Sequence, residues 1–257
     1  MGQRIVLTPY GEVFLHHAKR ALGELEECVM KLEKLKHWGY AALKIGAPDS
    51  ICQYILPQVL KDFGKSYPRC EMNIFTGDTL DILKQVKDGS IDFAFGVKLS
   101  TQDLHVQFTP LVEDTLCFIT SPEHKWVKEP VEGTKVLSKE RLISYAAQSE
   151  TERLIKRYFN ESSQLYNHPM SLGNMEAIKE MTKQNLGVGI VPRWLVHQEL
   201  ERGELVAHEI SSDPSALLKR EWGVLSLKTK QFSLVEEEMV KLCKDSFREV
   251  LGVGLKA

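Results

Sequence analysis

The sequence predicts an α/β protein with mostly parallel sheet, arranged in two units behind a long helical rod. Three observations predict it. From Leu43 onward, short apolar runs alternate with amphipathic helical stretches, the pattern of βαβ units with right-handed crossovers. The run IDFAFGV (Ile91–Val97) is apolar almost throughout, as a strand covered on both faces must be. Residues 9–38 instead carry apolar or small side chains at alternating steps of four and three, which is a helical seam.

The 257 residues, 43% hydrophobic and 26% charged, suit one large or two small domains with a real core. A net charge of −2 with interspersed cations gives no basic field for gripping nucleic acid. No apolar run approaches the roughly 20 residues that cross a bilayer. His16 and His17 stand where a signal peptide needs an apolar core, so a cytoplasmic protein without membrane partners is expected. Cys28, Cys52, Cys70, Cys117 and Cys243 show no CxxC spacing. They read as buried free thiols, with a redox pair as the alternative.

Along the chain, RIVLT (Arg4–Leu7 and Thr8) is a strand-like run with no nearby partner. Thr8 and Pro9 then fit the cap and first position of a helix. Its seam is Phe14, Ala18, Ala21, Leu25, Cys28, Leu32 and Leu35, a heptad pattern flanked by charge. So narrow a stripe suits one partner helix from a second copy, the alternative being a helix laid along its own domain. Gly39 and Ala41–Ala42 release the chain.

LKIGA (Leu43–Ala47) is a strand, Ile51–Phe63 a helix closed by Gly64 and Pro68, EMNIF (Glu71–Phe75) a strand, and Leu80–Val86 a helix before Ile91–Val97. The second unit has strands at Leu116–Ser121 and Leu142–Tyr145, and a helix from Ser149 to Phe159. MSLG leads to a helix from Met175 to Asn185, followed by a short strand in LGVGIVP. A helix at Trp194–Glu201 and a strand at Leu205–Ile210 complete the unit. A strand at Glu221–Leu227 and a helix over Phe232–Val250 close the chain.

Each strand-to-helix junction carries small polar residues: Asp49-Ser50, Thr76-Gly77-Asp78-Thr79, Gln148-Ser149-Glu150-Thr151 and Gly173-Asn174. Helix capping alone would place the same residue types there. Four such junctions in register across two α/β units also describe a cleft at the carboxyl ends of the strands. No Walker loop, nucleophile elbow or HExxH is present, and GVGIVP lacks a third glycine and follows a helix. Adjacent His16 and His17 cannot share a helix face, so no metal or other cofactor is expected. Asp78, Asp92 and Glu176 have structural readings as a cap, a turn exit and a first-turn charge. The inventory indicates binding rather than catalysis.

Taken together, RIVLTPYGEVFLHHAKRAL, LKIGAPDSICQYILPQVLKDFGKSYP, GDTLDILKQVKDGSIDFAFG and GNMEAIKEMTKQNLGVGIVPRW resemble, in order and spacing, a LysR-type transcriptional regulator of bacteria. The resemblance spans essentially the whole chain. It implies two Rossmann-like lobes of the type 2 periplasmic-binding-protein kind behind a linker helix. Residues 1–8 would then be the last of a winged helix-turn-helix, 9–38 the dimerisation helix, 44–115 with 220–257 lobe I, and 116–219 lobe II. DNA would be contacted only through the helix-turn-helix, absent from this stretch, and the subunits would form a homodimer, or a homotetramer at full length.

The resemblance further implies a small-molecule effector, an organic acid or amino-acid-like compound, held between the lobes. Its contacts would come from Pro48, Asp49, Ser50, Thr76, Gly77, Asp78, Thr79, Gly96 and Val97 of one lobe. Gln148, Ser149, Thr151, Gly173 and Asn174 of the other would complete them. Pro48-Asp49 replaces residues more often small and polar, and Glu150 and Glu152 stand where Gly and Arg are common. A carboxylate effector suits helix N-termini, but Asp49, Asp78 and Glu150 oppose it if they face the cleft. A two-lobed transport protein and a redox-sensing regulator are the rival readings.

Overall fold

The computed structural model describes residues 7–37, 42–101, 103–129, 134–145, 148–161, 170–210 and 218–254. Most of RIVLT and the expected linker end at Gly39 and Ala41 fall outside them.

Helix α1 (Pro9–His37) runs first. Strands β1 (Ala42–Ala47), β2 (Glu71–Thr76) and β3 (Phe93–Val97) follow, with β1 parallel to both others. Their crossovers are α2 (Asp49–Tyr54), α3 (Leu56–Ser66) and α4 (Thr79–Lys87). Strand β4 (Val106–Thr120) is long and antiparallel to β9 (Lys219–Leu227), which lies beside β3. After it come α5 (Lys125–Lys128), β5 (Leu142–Tyr145), α6 (Glu150–Glu161), β6 (Met170–Leu172), α7 (Met175–Lys183) and β7 (Val188–Pro192). A 3-10 turn at Arg193–Val196, α8 (His197–Glu201), β8 (Val206–His208) and α9 (Leu234–Gly254) complete the chain. The strand order is β2-β1-β3-β9-β4-β7-β5-β6, with β8 also against β4.

Strand β4 divides the molecule. Through Thr115 it pairs with β9, and from Leu116 it pairs with β7 and then β8. On the first side Ile45, Ile51, Phe63, Phe93 and Phe95 pack against Val235, Met239, Cys243 and Phe247 of α9. On the second, Phe118, Leu142, Ile155, Phe159 and Ile190 fill one face of the sheet and Ile119, Ile143, Ile178 and Val191 the other. Each side therefore has a core of its own. Gly46 permits the closest approach in the first: a Cβ there would sit 2.2 Å from Ile82.

Several boundaries differ from expectation. The helix read as Ile51–Phe63 is two helices, because Pro57 falls in the first turn of α3 and the chain bends at Ile55. Gly64 does not end it; α3 runs to Ser66. β3 starts at Phe93, two residues late, since Asp92 is engaged edgewise with Lys44: its N–H donates to the Lys44 carbonyl and its Oδ2 accepts from the Lys44 N–H. The strand expected at Leu116–Ser121 is only the end of β4. α7 stops at Lys183, and Asn185 takes a left-handed conformation (φ 56°) just beyond it.

Candidate effector cleft

The two sides face each other across a cleft at the ends of β1, β3 and β5. It is lined by Pro48, Asp49, Ser50, Gln53, Asp78, Thr79 and Val97 from the first side and by Tyr145, Ser149, Glu150, Thr151, Asn174 and Met175 from the second. Arg220 and Trp222 of β9 form its base. It contains about 510 Å³ of atom-free space, of which only about 30 Å³ accepts the centre of a water molecule. The lobes are thus close together, and any organic guest must part them.

The lining helices are capped by the cleft's own residues. Asp78 accepts from Leu80 N–H at 3.0 Å to open α4. Ser149 Oγ accepts from Glu152 N–H at 3.0 Å to open α6, and Asn174 Oδ1 accepts from Glu176 and Ala177 N–H to open α7. Thr79 Oγ1 accepts from Val97 N–H at 3.3 Å, tying α4 to the end of β3. Only α2 begins without a side-chain cap, after Pro48.

Beneath the cleft lies a buried polar node. Asp114, 3% exposed, sits two residues before Leu116, where β4 changes partner. Its carboxylate accepts from Arg220 Nε at 3.0 Å and again from Nη2, and from the indole N–H of Trp194 and of Trp222, each at 2.9 Å. The remaining Arg220 nitrogen, Nη1, donates to Thr151 at 3.0 Å. Every nitrogen of this node makes at least one hydrogen bond, as a buried charge pair requires.

Two clasps join the lobes at the mouth. Tyr54 of α2 donates to Glu176 and accepts from Lys179 Nζ at 2.7 Å. Lys179 also pairs with Glu199 at 2.8 Å. Burial opposes its charge, but the bonds to Glu199, Tyr54 and Glu176 prevail and hold the ammonium above its ordinary range. On the other flank Glu150 accepts from Ser100 N–H at 3.0 Å and pairs with Arg153 at 2.6 Å.

The field inside is acidic. Burial, reinforced by Asp81 and Glu150, pushes the Asp78 carboxyl up despite the Leu80 N–H and Arg153. Burial, then Asp78 and Asp49, raises the Tyr145 hydroxyl to about 12. Arg220, the sole cation among the described lining residues, is neutralised by Asp114.

Of the residues expected from sequence, Pro48, Asp49, Ser50, Asp78, Thr79, Val97, Ser149, Thr151 and Asn174 meet in this cleft; Thr76, Gly77, Gly96, Gln148 and Gly173 do not line it. Thr76 and Gln148 are exposed. Gly96 is a packing residue, since a Cβ there would press on Leu225 and Thr79 at 3.0 Å. Gln53, Tyr145, Met175, Arg220 and Trp222 line the cleft without having been foreseen, and Glu150, expected at the junction though not among the effector contacts, lines it too. Glu152 is buried within its own lobe, accepting from Ser144 Oγ at 2.9 Å. No group of three or more His, Cys, Asp or Glu among the described residues could hold a metal ion.

Residues 41–248 match the protein family described as the LysR substrate binding domain. The chain belongs to the LysR family of transcriptional regulators. Among curated relatives, a probable RuBisCO transcriptional regulator of Thalassiosira pseudonana is 33% identical over 210 residues, covering 78% of this chain and 67% of that one. The HTH-type transcriptional activator CmpR of Synechocystis is 27% identical over 241 residues, covering 92% and 76%. Among solved structures, the regulatory domain of Synechocystis CcmR in complex with 2-PG aligns with a TM-score of 0.70 at 20% identity over 80% of this chain and 96% of that one. A C206 mutant of Corynebacterium glutamicum OxyR aligns at 0.71 and 19% over 100% and 80%. The likeness of this LysR-family chain to these structures establishes its two-lobed fold. No helix among its described residues is long and apolar enough to cross a membrane.

Proposed function

We propose that this chain is the effector-sensing part of an intracellular LysR-type regulator, with lobe I formed by 44–115 and 220–257 and lobe II by 116–219. A small molecule enters between the lobes, contacts Ser50, Asp78, Thr79, Ser149, Thr151 and Asn174, and resets the angle between them. The observation that carries this reading is the polar cleft fed by the starts of α2, α4, α6 and α7 from both lobes, above strands that pass from one lobe to the other. Its role is binding, not catalysis.

Subunits associate through α1, by way of Phe14, Ala18, Ala21, Leu25, Cys28, Leu32 and Leu35. The exposure of Phe14 (75%) and Leu25 (63%) supports this, since isolated large apolar patches on a rod call for a partner. DNA is contacted by a winged helix-turn-helix joined ahead of α1 in the full-length regulator, as a homodimer or homotetramer. A redox role is less favoured: burial raises the thiols of Cys52 to about 11 and Cys117 to about 12, which suppresses the thiolate that oxidation requires.

A thermal-shift screen of amino acids, amines, organic acids and nucleotides tests the reading. Ligands that raise Tm in the parent should fail to do so in Ser50→Trp, whose indole fills the cleft. Shifts that persist undiminished in that variant would place the ligand elsewhere. Leu25→Asp with Leu32→Asp should dissociate the subunits in sedimentation, and unchanged association would remove α1 as the interface.

A further inference from the structure

We infer that the effector of this chain presents a positively charged amine to Asp49, Asp78 and Glu150. This rests on the cleft being the effector site. Within that site, carboxylates arrive from both lobes: Asp49 and Asp78 from the first and Glu150 from the second. The one guanidinium in the lining, Arg220, gives two of its nitrogens to Asp114 and the third to Thr151. Each of its three nitrogens is thus already engaged, and its charge is matched by Asp114 before any guest carboxylate arrives.

Three of the four helix starts on the cleft also carry side-chain caps, and only α2, which follows Pro48, does not. α4, α6 and α7 are closed by Asp78, Ser149 and Asn174. A carboxylate guest at these three would displace the caps and then face three like charges at short range in a narrow, partly dehydrated space. An ammonium group meets the opposite situation, since its three donors match acceptor oxygens. Arg153 offsets Glu150 from the rim, where it is half exposed, and acts to a lesser degree on Asp78. The Asp78 carboxyl, held up by burial and by Glu150, is the acceptor that gains most from a cation.

Three four-carbon probes separate the possibilities by their ends alone: 1,4-diaminobutane, 4-aminobutanoate and succinate. Each is titrated into the full chain by calorimetry and thermal shift, alongside Asp78→Asn, Glu150→Gln and Ser50→Trp. Asparagine caps a helix as well as aspartate does, so Asp78→Asn should fold. At least one amine should bind and raise Tm, succinate should not, and Asp78→Asn should weaken the amine by about tenfold or more. Succinate binding that vanishes in Ser50→Trp would overturn the amine while leaving the cleft as the effector site. Binding by neither amine, or amine binding indifferent to both Asp78→Asn and Glu150→Gln, would also overturn it. Probe binding unaffected by Ser50→Trp would instead sink the cleft itself.

Discussion

The base of the cleft and its mouth are built from different materials. The base is Asp114, Arg220, Trp194 and Trp222, on or against two long paired strands, with the Arg220 and Asp114 side chains 2% and 0% exposed. The mouth is held by clasps that each join a buried group to a wetter one, Lys179 (2%) to Glu176 (38%) and Glu150 (5%) to Arg153 (48%). Water can replace the bonds of the mouth when they part, whereas at the base nothing can. The difference divides the molecule into a fixed floor and a breakable opening, as a site that must admit and then enclose a guest requires.

Removing the floor should have the largest effect. Asp114→Ala leaves the Arg220 charge buried without its counter-ion and two indole N–H groups without acceptors, and should lower stability by about 3–5 kcal/mol in denaturant melts. If it costs no more than a surface substitution, floor and mouth do not differ. Lys179→Met should cost less, about 1–3 kcal/mol, because Glu176 can turn to solvent. It should also speed hydrogen exchange in α2 and α7 while sparing β4 and β9. Uniform loss of protection would show that the clasp is part of the floor.

Glu150→Gln, at the other clasp, keeps an acceptor for Ser100 N–H and should change stability by less than about 1 kcal/mol. The smallest effect concerns pH. With the folded pKa of Asp78 raised above its ordinary 3.8, the native state binds more protons at this site than the unfolded chain does. Its contribution is full below 3.8 and is lost as pH rises through the folded value. Asp78→Asn should therefore gain stability over the parent as pH rises through that window. A gain that instead appears on acidification would contradict the burial of Asp78 in the mouth.

Much of the cleft's lining was legible from sequence and little of its floor. Ser50, Asp78, Ser149, Thr151 and Asn174 announce themselves because helix starts need small polar residues, and helix starts at strand ends are where clefts form. The first half of β4 was not read as a strand: Pro110 interrupts it and Glu113-Asp114 end it with charge, and the ladder absorbs the proline through a register shift between Pro110 and Val112. Arg220 lay one residue outside the expected strand, and its partner Asp114 is 106 residues away. Neither has a local pattern, because a buried ion pair is specified by two strands meeting, not by spacing along one. Tyr145 and Trp222 read as strand hydrophobics, and their polar atoms gain meaning only once the lobes face each other. The bend at Ile55 is the opposite case, since Pro57 was visible and its consequence for the helix was local.

The most direct measurement is a crystal structure of the chain with the probe that gives the largest thermal shift. The account predicts density between the lobes, with an amine nitrogen within hydrogen-bonding distance of Asp78 and one or both of Asp49 and Glu150, the mouth wider and the Asp114–Arg220 floor unmoved. Density seated outside the cleft, or a floor that comes apart as the guest enters, would contradict it.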